Sequence, residues 1–208
     1  MPRPQTPKQQ AKRILALLKK EYPDAACTLD HLNPFQLAIA TILSAQCTDK
    51  RVNMVTGELF RRFPTPQHFA EAPLTEIEDA IHSTGFYHNK AKNIQNLCRI
   101  LITQYKGEIP NDMETLVKLP GIGRKTANVI MGNAFGTPTG FVVDTHVFRL
   151  SHRLGLTAAK TPEKVEADLV QLFPPDEWID TSHRLILLGR SNCNARKPEC
   201  EQCFLKTL

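Results

Sequence analysis

The chain has 208 residues, 41% hydrophobic and 23% charged, a balance that excludes a disordered chain and fits one large domain or two small ones. A formal net charge of +5 suits a polyanionic partner without requiring one. No apolar run approaches the length of a membrane span, and Ile14 to Leu18 is too short for a signal-peptide core, so a soluble cytoplasmic protein is expected. Six cysteines in that setting argue against a disulfide framework.

Thr6-Pro7-Lys8-Gln9 reads as a capping box with proline at the first helical position. Ala11, Ile14, Leu15 and Leu18 then make one apolar face of a helix that ends before Pro23. Asn33-Pro34-Phe35-Gln36 repeats the cap signature, and the helix it opens, to about Ala45, is apolar nearly all round and expected to be central and buried. Thr48 can cap the next helix, with Val52, Val55, Leu59 and Phe63 on its apolar face. Pro64-Thr65-Pro66 stops that helix and starts another, and a short helix is expected around Thr75 to His82. A turn rich in rings, Gly85-Phe86-Tyr87-His88-Asn89, precedes a long helix marked by Ile94, Leu97, Cys98, Leu101 and Tyr105. Asp112 can cap Met113 to Lys118.

Leu119-Pro-Gly-Ile-Gly-Arg-Lys-Thr-Ala127 comes next, between two apolar-periodic segments. Pro120 restricts its own φ and biases Leu119 away from helical angles, while Gly121 and Gly123 permit φ > 0. Such a turn exposes amide N–H groups at the start of the following helix, where an anion, naturally a phosphate, is favoured. Arg124 and Lys125 stand on the first turn of that helix. An amine nucleophile must be unprotonated; the helix end and Arg124 both disfavour the ammonium form of Lys125, and burial in a cleft would act the same way. The plainer alternative is a solvated lysine touching phosphate.

The helix runs to about Gly136, and Gly136-Thr-Pro-Thr-Gly140 is the best linker. Asp144, in Val143-Asp-Thr-His-Val147, can cap a helix from Thr145 to Leu154, which would keep its carboxylate ionised and fixed. His146 reads as a packed residue with a satisfied ring nitrogen. Further helices are expected at Pro162 to Leu172 and Asp180 to Ser191. No run alternates at period 2, so the fold class is all-α. Cys193, Cys200 and Cys203 have metal-ligand spacing; three thiolates suit an iron–sulfur cubane, a zinc ion completed by a histidine such as His183, or no metal at all. Cys27, Cys47 and Cys98 read as core thiols.

Taken together, the Leu119–Ala127 hairpin with its lysine, the aspartate segment around Asp144 and the C-terminal cysteines resemble the endonuclease III family of helix-hairpin-helix DNA glycosylases. The resemblance runs from about the first helix to Cys203. It implies a six-helix barrel with the hairpin over residues 27–138, and a second helical domain built from residues 1–26 and 139–208 that holds a 4Fe-4S cluster. Cys193, Cys200 and Cys203 would be cluster ligands, with the fourth cysteine just beyond Leu208.

The activity implied is removal of oxidised pyrimidines from damaged double-stranded DNA by a monomeric enzyme. Lys125 would attack C1′ and form a Schiff base, Asp144 would assist base departure, and β-elimination would nick the abasic site. Gly121, Gly123 and Arg124 would bind DNA. Gln46 matches the family's gap-filling glutamine, or else is a helix-end polar group. Phe86 falls where a relative carries an aliphatic wedge, or else is a turn aromatic. Lys90 and His88 read as phosphate contacts or as a solvated face. Adenine-removing relatives carry a glutamate in the central helix and lack the hairpin lysine; Leu37 to Ala45 contains no Glu and Lys125 is present. A thymine-mismatch glycosylase on the same scaffold, or a helix-hairpin-helix DNA-binding module without catalysis, are the alternatives.

Overall fold

The structure, a computed structural model, describes residues 6–206. Those residues contain eleven α-helices and no strand. In chain order they are α1 (Pro7–Glu21), α2 (Pro34–Leu43), α3 (Asp49–Arg62), α4 (Pro66–Glu71), α5 (Leu74–Ile81), α6 (Tyr87–Tyr105), α7 (Met113–Leu116), α8 (Arg124–Phe135), α9 (Thr145–Arg153), α10 (Pro162–Leu172) and α11 (Trp178–Arg190). The expected all-α class is what the structure has, and none of these helices is long and apolar enough to cross a membrane.

The starts of the helices follow from local chemistry. Thr6 and Gln9 form the capping box of α1, each side chain bonding the other's backbone N–H. Asn33 caps α2 by accepting from the Gln36 amide at 2.9 Å, and Thr48 and Asp112 cap α3 and α7 in the same way. Hydrogen bonds from Thr115, its side chain first and its backbone amide second, hold the Asp112 carboxyl below the usual carboxylate range. Several boundaries, among them the end of α2 and the start of α11, shift by about two residues from expectation, and two of the shifts have a visible cause. Helix α6 starts at Tyr87, inside the expected turn, because Phe86, in left-handed backbone, already closes the turn, its carbonyl accepting from the Lys90 amide. Helix α7 stops at Leu116, where the chain tightens toward the hairpin with Lys118 and Leu119 amides bonded three residues back.

The chain divides into two compact units. One is continuous, Thr28–Thr137. Its axis is α2, where Leu37, Ala38, Ile39, Ala40, Ile42 and Leu43 are all buried, with α3, α6 and α8 packed on it and α4 and α5 against α6. The other joins residues up to Cys27 with those from Pro138 on. There α1 packs on α10 and α11, and α9 on α11, around Ile14, Leu18, Phe141, Val147, Leu150, Leu169 and Leu185. A buried guanidinium binds α1 into this unit: Arg184 donates to Tyr22 O at 3.2 Å, Glu177 Oε2 at 3.1 Å and Asp180 Oδ2 at 3.3 Å, and Glu177 also pairs with Lys19.

Candidate active site and nucleic-acid interface

In the continuous unit the hairpin is a tight turn: the Ile122 amide donates to Leu119 O at 3.1 Å, and Ile122 and Leu119 are buried beneath it. The two glycines do different work. Gly121 has φ +76°, and a Cβ there would come within 3.1 Å of Ile42 Cδ1 and 3.2 Å of Asn93 Cβ. Gly123 has φ −89°, which any residue adopts, and a Cβ there would meet nothing within 4 Å. The expectation of φ > 0 therefore holds at Gly121 and fails at Gly123. Gly123 is instead the N-cap of α8, which receives no side-chain cap, and the exposed backbone at the helix start is open to the outside. Arg124 and Lys125 lie exposed on the first turn, and Lys118 is exposed just before the hairpin. Lys125 is thus displayed on the surface, not buried, because the inward face of α8 is taken by Ala127, Asn128, Ile130 and Met131.

Gln46 and Phe86 share an uncommon backbone state. Both have left-handed φ, +54° and +51°, and both are exposed, Phe86 by 63%. For a phenylalanine that conformation is a genuine outlier, of the kind that clusters where proteins bind ligands. Gln46 follows the end of α2, and Phe86 precedes the start of α6. The hairpin stands against the same ends of the same helices, since Gly121 abuts Ile42 of α2 and Asn93 of α6.

Lys90 corrects an expectation. It is neither a phosphate contact nor part of a solvated face, being only 4% exposed. Its Nζ donates to Leu43 O at 2.8 Å and to Thr84 O at 2.9 Å. Burial lowers its pKa, with the Cys47 thiol acting weakly the other way. His88, by contrast, is exposed and pairs with Glu78. Cys98 is a core thiol, pushed up to about 12 by burial.

In the second unit Asp144 is the N-cap of α9. Its Oδ1 accepts from the amides of His146 and Val147, both at 2.8 Å. Val143 and Val147, buried on either side, fix the backbone around it. The carboxylate is therefore held in one orientation at the positive end of a helix. His146 is packed as expected: it fills the space beside Gly189, where a Cβ would come within 2.7 Å of its Nδ1.

The three cysteines lie on one loop after α11, and two arginines from α9 organise its start. Arg149 donates to Gly189 O and Cys193 O, and Arg153 to Asn194 O, Ala195 O and, at 3.4 Å, to Cys193 Sγ. Cys193 and Cys203 are half-buried against the apolar core, and Cys200 is exposed. Among the described residues no three His, Cys, Asp or Glu side chains gather tightly enough for a single metal ion. Three thiols on one loop, one of them receiving a guanidinium hydrogen bond, are the groups this unit offers a metal or cluster.

A family model described as HhH-GPD superfamily base excision DNA repair protein matches residues 39–175. Endonuclease III from Synechocystis is 54% identical over 201 residues, 97% of this chain and 92% of the relative. Two solved structures superpose with a TM-score of 0.93 at 50% identity, covering 97% of this chain and 94% of theirs: a non-covalent endonuclease III–DNA complex and a trapped endonuclease III–DNA covalent intermediate. With helix-hairpin-helix geometry at residues 113–135 and identity of this order along nearly its whole length, the chain belongs to the endonuclease III family of base excision DNA repair proteins.

Proposed function

We propose that this protein is a base-excision DNA glycosylase that also cuts the abasic site it makes, with oxidised pyrimidines in double-stranded DNA as its substrates. The observation that carries this reading is Lys125, displayed on the first turn of an uncapped helix behind a glycine that the fold itself does not need. Gly123 leaves room for a phosphate to approach the amides of α8, with Arg124 beside them. That contact puts an amine next to the sugar.

The Lys125 Nζ lone pair attacks C1′. The glycosidic C–N bond breaks, and the base leaves with the electron pair and takes up a proton. Loss of the amine proton and opening of the sugar give the imine. Removal of a C2′ proton then expels the 3′ phosphate, cutting the strand 3′ to the lesion, and hydrolysis frees the lysine. Asp144, fixed by two amides, opposes the positive charge that develops on the sugar. The target nucleotide must leave the stack for any of this, and Gln46 and Phe86 fill the gap it leaves. The trapped covalent complex of the relative supports covalent chemistry of this type.

Residues 27–138 serve as the six-helix barrel, and residues 1–26 with 139–208 as the cluster domain of a cytoplasmic monomer. Cys193, Cys200 and Cys203 would supply three ligands to a 4Fe-4S cluster, whose contribution is to hold the loop with Arg196 and Lys197 toward DNA. The purified full-length protein should absorb broadly near about 400 nm; a flat spectrum there removes the cluster from this account.

The test of the chemistry is borohydride reduction in the presence of a duplex with one oxidised pyrimidine. The wild type should form a covalent adduct and Lys125→Ala none. Base release without an adduct, on this duplex or on one with a G·T mismatch, would assign a glycosylase that uses water. Binding without any cleavage would leave a DNA-binding module.

A further inference from the structure

We propose that Lys90 is a positioning residue that clamps the loops bearing Gln46 and Phe86 into a single two-pronged wedge. The inference rests on the reading that these two side chains enter the DNA stack. Its physical basis lies in three hydrogen bonds. The buried Nζ bridges Leu43 O, the last carbonyl of α2, and Thr84 O, at the end of the short 3-10 helix His82–Thr84. The Lys90 amide donates to Phe86 O at 3.1 Å. Both carbonyls held by Nζ lie at helix C-terminal ends, which lack intrahelical partners and carry partial negative charge. One cation satisfies both.

Each tethered carbonyl lies just ahead of a strained residue, Leu43 three before Gln46 and Thr84 two before Phe86. The described chain has one further non-glycine residue in the left-handed region, Lys106, and it ends α6 as such residues commonly do. Gln46, beyond the C-cap of α2, and Phe86, an N-cap of α6 in left-handed rather than the usual extended backbone, are the two that Lys90 ties together. Strain of this sort persists only where surrounding structure over-determines it. Removing the ammonium leaves two buried carbonyls without their donor and frees two loops to relax apart. The loss would be felt where both prongs must enter one gap together.

The experiment is a mutant cycle read on two substrates. The first is a duplex with an uncleavable abasic analogue flanked by 2-aminopurine, whose fluorescence rises when the base unstacks. This arm makes no bond, so it stands apart from the role of Lys125. The second is a single-stranded abasic oligonucleotide, which needs no extrusion. Lys90→Met should cut the duplex fluorescence change and base excision from a duplex by roughly tenfold, and should leave single-strand cleavage within about twofold. In a Gln46→Ala, Phe86→Ala background Lys90→Met should add nothing further, because the prongs it positions are gone. Full additivity in that background, or an equal loss on single-stranded substrate, would overturn the proposal and make Lys90 a general stabiliser. No fluorescence change with the wild type would overturn it together with the wedge reading. Should Lys90→Met fail to show a cooperative thermal transition, Lys90→Gln, which keeps a donor, carries the same cycle and should fall between the two.

Discussion

Gly121 and Gly123 stand two apart in one turn and look alike in the sequence, but the structure gives them opposite grounds for being glycine. Gly121 needs positive φ and lies against Ile42 and Asn93. Alanine there meets both penalties: left-handed backbone costs a residue with a Cβ about 1–2 kcal/mol, and the side chains of Ile42 and Asn93 would have to give way. Gly121→Ala should therefore lower the melting temperature by roughly 3–8 °C. Gly123 has ordinary φ and open space beyond. Gly123→Ala should leave the melting temperature nearly unchanged and yet weaken binding to an abasic-analogue duplex several-fold, because the methyl group stands where a phosphate would approach. Thermal melting and fluorescence anisotropy on the same two variants separate these effects. Equal loss of stability in both would show that the turn, rather than the phosphate, requires the second glycine.

At the scale of elements, what the sequence disclosed was what is decided within four residues. Thr6, Asn33, Thr48, Asp112 and Asp144 all cap the helices expected of them, because an N-cap and the amides that donate to it are neighbours along the chain. The burial of α2 was legible for a related reason, since a helix apolar on every side has no face to offer water. What the sequence hid depends on partners far along the chain. Lys90 reads as a surface cation until Leu43 O, 47 residues earlier, is seen to receive it. The left-handed backbone of Gln46 and Phe86 has no compositional mark, because glycine or asparagine would be the ordinary occupants. Helix α1 carries nothing that names its partners. Its place comes from Arg184, 162 residues from the Tyr22 carbonyl it binds, and from a salt bridge between Lys19 and Glu177.

The seating of α1 governs how the second unit comes apart. The unit Thr28–Thr137 is one uninterrupted stretch with its own fully buried residues, among them Leu37, Ile39, Phe69, Ile77, Ile94 and Leu97. The other unit is assembled from both ends of the chain, and Ala11, Ile14 and Leu18 of α1, all with no exposed surface, form part of its core. Burying Ile14 and Leu18 contributes about 3–6 kcal/mol together, which rivals the entire stability of about 5–15 kcal/mol typical of a domain. Residues 138–208 expressed alone would also leave Arg184 without the Tyr22 carbonyl. A fragment of residues 28–137 should thus melt cooperatively by circular dichroism, whereas residues 138–208 should show no cooperative transition until a peptide of residues 6–27 is added. Cooperative melting of residues 138–208 without that peptide would show that α1 is an accessory layer rather than part of the core. The linker Gly136–Gly140 divides the sequence once, but the fold requires the chain to leave the second unit and return to it, so folding of that unit must wait for its last residues.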